Sequence, residues 1–289
     1  MIINELPLLG FTLLMQVSVG LTVLFNAFIF WPAFNSRGKI SKSLISIPLI
    51  ALGFGLIAAI LSFLHIGEPL SIIKSTSTEF SRLRFEILCV VIYLITLLVF
   101  LIFTSSTKAS WRRIQKILLD LSSMSGIALI ISMSRLYMQD PYPIWNTIYT
   151  PLSFFGTTFL LGSILLLLLI SKTGSFSSQR ALAGISAIIV LYLLVLLPLM
   201  INNLDNMNIG EQESLSIMFN DLLWIFYGRI LLLLITLGTL FRSLFVIRST
   251  MTKCSVLLWP ISIALIAAFV AELGGRILFF TIDNTAAGL

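Results

Sequence analysis

The sequence predicts an all-α integral membrane protein built as a bundle of eight transmembrane helices. Of its 289 residues, 58% are hydrophobic and only 10% charged, against roughly a quarter charged in an ordinary soluble domain. The apolar residues gather into eight windows, each near the roughly 20 helical residues that cross a bilayer at about 1.5 Å per residue. Runs such as ILLLLLI (Ile164 to Ile170) are apolar on every face, whereas a membrane β-barrel would alternate apolar and polar positions. A soluble enzyme and a nucleic-acid binder are excluded, and the net charge of +6 is assigned to basic loops on one side of a bilayer.

The windows are 8–31, 44–64, 87–103, 117–136, 152–170, 181–201, 222–240 and 255–280, forming a single membrane domain over residues 1–289. Each is expected to be a helix, because a lipid-exposed backbone has to satisfy its own hydrogen bonds. The first is expected to remain as a span, since no basic residue precedes it, it is longer than a signal-peptide core, and no Ala-x-Ala site follows. The fourth is the most polar, diluted by Asp120, Ser122, Ser123, Ser125, Ser132, Ser134 and Arg135, but its serines and Gly126 suit close helix packing. The fifth and sixth carry no charge. The long segments 66–85 and 202–221 are read as caps or partner-docking loops, and no internal repeat is visible.

Alternate loops differ in basic content. The loops after windows one, three, five and seven hold twelve of the eighteen Lys and Arg residues, while the segment between Asn202 and Asp221 holds none. Both termini are therefore expected outside the cytoplasm. A reporter active only in the cytoplasm should be silent when fused after Leu289 and active when placed after Arg113; the reverse pattern would invert the map.

Ionisable residues are expensive inside a membrane, so their placement is informative. On this topology His65 ends the second window, Glu86 begins the third, Arg135 ends the fourth, Arg229 lies in the seventh, and Glu272 with Arg276 occupies the outward half of the eighth. Gln16 in the first window falls at the same level. A polar pocket near the outer face would gather them. Blander readings stand beside this one: Glu272 and Arg276, four apart, would neutralise each other; Arg82, Arg84 and Arg135 would snorkel to headgroups; Glu86 would be a helix-start carboxylate favoured by the dipole; and His65 would be an interfacial residue. The two cysteines, Cys89 and Cys254, and the single histidine leave no set for an iron–sulfur cluster, a Cys-rich zinc site or a bis-histidine haem. A proton-coupled binding site remains, in which His65 titrates near neutral pH and Glu86 relays a proton.

The stretches ELPLLGFTLLMQ, LHIGEP (Leu64 to Pro69), SRLYMQDPYPIWNTIYTPLSFFG (Ser134 to Gly156), YGRILLL and AELGGRILFF (Ala271 to Phe280) resemble, in order and from end to end, the membrane-anchor subunit of dimethyl sulfoxide reductase. The resemblance implies a haem-free anchor of an anaerobic respiratory complex in the bacterial inner (plasma) membrane. Such an anchor oxidises menaquinol and passes electrons to an iron–sulfur subunit, which feeds a molybdopterin catalytic subunit. It also implies that His65 matches the histidine tied to quinol binding, that Glu86 matches a carboxylate of the same neighbourhood, and that Arg229, Glu272 and Arg276 are polar positions of the same pattern; Gln16 and Arg135, at the same level on the topology, complete the expected pocket. Glu68 departs from the pattern, which more usually has a small residue there. Two other functions are compatible with the residues alone: a secondary transporter, and a purely structural anchor with no quinol site of its own.

Overall fold

A computed structural model describes residues 2–30, 44–66, 78–104, 111–138, 145–171, 176–205, 209–249 and 255–286. Among them are eight long helices: α1 (Ile2–Phe30), α2 (Ser46–Ile66), α3 (Thr78–Thr104), α4 (Arg112–Tyr137), α5 (Tyr149–Ile170), α6 (Phe176–Asp205), α7 (Ile209–Ser249) and α8 (Ser255–Ala286). All eight contain a stretch long and apolar enough to cross a membrane. The helices overrun the apolar windows where polar residues can still close backbone hydrogen bonds. α3 begins at Thr78, so Glu86 lies in its third turn rather than at its start, and the helix-start reading of that carboxylate is corrected. Segment 67–77, with Glu68, and the side chain of His65 lie outside the described residues, as does Cys254.

The helices form two rings of four, in chain order. α1 packs on α2 and α4, and α3 on α2 and α4; α5 packs on α6 and α8, and α7 on α6 and α8. The rings meet where α1 lies on α5, with α4 touching α5 and α1 touching α8. Neighbours within a ring run antiparallel: Asn26 of α1 meets Asp120 of α4, and Ser163 of α5 meets Ser186 of α6. α1 and α5 run parallel to each other, with Gln16 at Phe154 and Gly20 at Thr158 and Gly162. The same four-helix ring thus occurs twice without a repeat legible in the sequence.

The join between rings depends on two glycines. A methyl group at Gly20 would meet the backbone of Thr158 and Gly162, and one at Gly162 would meet the backbone of Gly20. With no hydrophobic force to drive helices together inside lipid, such close backbone approach is a main source of attraction. α1 and α5 are the central helices, their apolar windows 72% buried, while those of α3 and α7 are 28% buried and carry the lipid-facing surface.

Polar side chains tie the first ring internally. The Tyr93 hydroxyl of α3 bonds the hydroxyls of Ser18 and Thr22 of α1, both at 2.8 Å, and Ser18 donates to the Ala51 carbonyl of α2 at 2.6 Å. One turn further along α1, Asn26 donates to Asp120 and Ser123 of α4, both at 3.0 Å. Hydroxyls and amides that find partners across helices neutralise the cost of burying them. At the α5–α6 corner the Gln179 amide donates to the carbonyls of Ile170 and Ser171, satisfying the end of α5.

Candidate functional site

Four of the expected residues come together near the end of the bundle at which α1 begins and α8 ends. Glu272 is 2% exposed and sits on α8 facing α5 and α7. Its Oε2 accepts a 2.5 Å hydrogen bond from the Thr157 hydroxyl of α5, and both carboxylate oxygens lie 3.3 Å from Nη2 of Arg229 on α7. The close ion pair of Glu272 is therefore with Arg229 across helices, and not with Arg276 four residues along α8. Glycine explains why. The Arg229 guanidinium lies against Gly275, where an added Cβ would come within 2.6 Å of Cζ. A side chain at that position would require the Arg229 guanidinium to shift from its place beside the carboxylate.

Arg276 takes a different direction. It is 4% exposed, and its Cζ lies 3.7 Å from the centre of the Phe154 ring and 5.8 Å from that of Phe279. A guanidinium over a ring face gains the attraction of the ring quadrupole, more so when both are desolvated. Around it Tyr137, Trp145, Phe154, Phe279 and Phe280 form a continuous aromatic group, with the Trp145 and Phe279 rings stacked at 4.5 Å. Gln16, fully buried on α1, donates through Nε2 to the Phe154 carbonyl at 3.2 Å. Three buried polar atoms of this group have no hydrogen-bond partner: Gln16 Oε1, Arg229 Nε and Arg276 Nη2.

The remaining candidates lie elsewhere. Glu86 is buried on α3, 5% exposed, and among the described residues no cation or hydrogen-bond donor reaches its carboxylate. α3 packs on α2, whose last turn carries His65. Arg135, in the last turn of α4, is exposed and stands outside the buried group. Exposed Arg82 reaches the Met138 carbonyl at 3.4 Å, tying the start of α3 to the end of α4. Sequence reasoning missed Thr157 and Phe154, which present an ordinary hydroxyl and an ordinary apolar ring; only their position opposite Glu272 and Arg276 gives them a role. Among the described residues no three His, Cys, Asp or Glu side chains gather in a way that would hold a metal ion.

The Gly275 contact predicts a substitution effect. Gly275→Ala should displace the Arg229 guanidinium and leave Glu272 with Thr157 alone, lowering thermal stability in detergent by the equivalent of about 1–3 kcal/mol for a weakened charged hydrogen bond. Gly274→Ala is the control, since its Cβ would make only an ordinary 3.4 Å contact with Ile225. Equal stability of the two variants would remove the proposed packing of Arg229 on Gly275.

Among the described residues, eight membrane-length helices in two rings, with a buried ion pair shared between α5, α7 and α8, define a multi-pass helical membrane protein with an ionic site inside its bundle. No curated protein and no solved structure is matched by the chain. The chain belongs to the DMSO reductase anchor subunit (DmsC) family, whose model matches residues 1–282. Membership implies the anchor subunit of a DMSO reductase, a protein that works with catalytic and electron-transfer partner subunits.

Proposed function

We propose that the chain oxidises menaquinol beside the ends of α2 and α3, with His65 and Glu86 accepting the two protons, and passes the two electrons to an iron–sulfur subunit. That subunit in turn supplies a molybdopterin catalytic subunit, in the bacterial plasma membrane. The observation that carries this reading is the state of Glu86. Glu272 is equally buried but committed to Arg229 and Thr157, whereas Glu86 has no cation beside it among the described residues. A carboxylate without such a partner can take up and release a proton without first breaking an ion pair. Its helix packs against the one whose last turn bears the only histidine of the chain, and oxidation of a quinol to a quinone needs two proton acceptors at the headgroup.

Gln16, on the helix shared by both rings, and Arg229, Glu272 and Arg276 in the second ring are assigned to the electrostatic surround of this pocket rather than to its acid–base step. Arg135 is placed at its rim. The transporter alternative loses support from the fold: such proteins bind substrate at interrupted helices near the midplane, and each span here is one continuous helix.

Glu86→Gln tests the proposal. The amide keeps size and polarity but accepts no proton, so menaquinol-driven substrate reduction by the assembled complex should fall about 10²-fold or more. Reduction driven by an artificial dye that feeds the catalytic subunit directly should be unchanged. Full menaquinol activity in the variant would remove Glu86 from the mechanism, and loss of both activities would point to a structural role.

A further inference from the structure

Among the described residues, the buried group in the second ring carries more positive charge than it neutralises. Arg229, Glu272 and Arg276 sum to one net positive charge, and the single carboxylate is already shared by Arg229 and Thr157. Among the described residues no carboxylate lies within 4.0 Å of Arg276, and its buried Nη2 has no hydrogen-bond partner. Arginine does not shed its proton to relieve such burial. A buried ionised group with no close ion pair and an unmade hydrogen bond is costly in a membrane interior, and such groups pair or face a ligand or water.

The Phe154 ring, 3.7 Å below Cζ, occupies one face of the Arg276 guanidinium, but it takes none of the N–H bonds in the guanidinium plane. Nη2 of Arg276 and Nε of Arg229 are both buried and unpartnered. The Arg229 guanidinium rests on Gly275, the residue before Arg276, so both arginines meet the same turn of α8. A water molecule would accept these N–H bonds without balancing the charge. An anion does both.

We propose that Arg276 and Arg229 form a binding site for a singly charged anion, supplied either by a free inorganic ion such as chloride or by the phosphodiester of a phospholipid. Its residues lie in the second ring, apart from the acid–base pair His65 and Glu86, and the proposal stands whether or not quinol is oxidised at that pair. Glu272 sets its strength by cancelling one of the two guanidinium charges. The unpartnered Gln16 Oε1, an acceptor, is suited to a water that hydrates the bound anion.

The test uses the assembled complex, purified without halide in a neutral detergent. Chloride is titrated against isethionate at constant ionic strength while thermal unfolding is followed, and tightly held phospholipid is identified by mass spectrometry. The expected result is either a saturable rise of Tm with chloride, accompanied by an anomalous bromide peak beside Arg276 after exchange, or a stoichiometric anionic phospholipid that survives delipidation. Arg276→Gln should abolish whichever signal the native complex gives. Glu272→Gln, which leaves a second guanidinium uncompensated, should tighten chloride binding by about tenfold or more. If Arg276→Gln fails to assemble, Arg276→Lys keeps the charge but loses the planar fork, and should weaken binding about tenfold without eliminating it. Absence of both signals from the native complex, or their persistence in Arg276→Gln, would overturn the proposal.

Discussion

His65→Arg should assemble into the complex normally yet lose menaquinol-driven electron flow by about 10² or more, the contribution expected of a general base. The substitution fixes a positive charge where a titrating imidazole stood and removes the proton acceptor. Assembly should survive because position 65 is in the last turn of α2, where a long basic side chain can extend toward the headgroups. Dye-driven activity of the catalytic partner bypasses the anchor and should stay at the native level. A variant that assembles and oxidises menaquinol at the native rate would make His65 an interfacial bystander and leave Glu86 as the acid–base candidate. Combining His65→Arg with Glu86→Gln discriminates further: residues acting in one step should lose together little more than either loses alone.

Gly20→Val should be the most damaging single change to the fold. Its side chain would run into the backbone of Thr158 and Gly162, which no rotamer change relieves, so α1 and α5 have to separate and with them the two rings. Overpacking of a tight contact costs about 1–3 kcal/mol and can exceed that where backbones have to move. The expected outcome is a chain recovered from membranes in strongly reduced amount and unfolding at lower temperature. Gly53→Ala provides the contrast. An added methyl at Gly53 meets nothing within 4 Å, and replacing a mid-helix glycine by alanine should stabilise by about 0.5–1 kcal/mol. Equal behaviour of the two variants would show that the α1–α5 crossing does not hold the rings together.

The number and kind of elements were legible in the sequence, because hydrocarbon imposes one solution on a spanning backbone: a helix of about 20 apolar residues. The crowding of ionisable residues toward one end was legible for a related reason, since charge is costly at the bilayer centre. What hydropathy could not indicate was which helices stand in the middle. The third helix has the most apolar window, with a mean hydropathy of 3.1, and is 28% buried, while the central α1 and α5 have values of 2.0 and 2.2. Lipid-facing surfaces have to be apolar, whereas interior faces can carry the serines, threonines and glycines that let helices approach and bond.

The partner of Glu272 was likewise a tertiary decision. Spacing along α8 favours Arg276 four residues on, but the cleared surface at Gly275 admits Arg229 from α7, and Phe154 of α5 holds Arg276 by its ring face. Glu86 and the arginine group share one end of the bundle but lie in different rings, because the chain completes α1 to α4 as one ring before beginning the other. Sequence by itself therefore determined the number and helical character of the spans and supplied the candidate residues. The pairing of those residues, and their division between two rings, arose only when α1 crossed α5 at Gly20 and Gly162, since a contact between helices distant in sequence depends on side-chain shape on both surfaces at once.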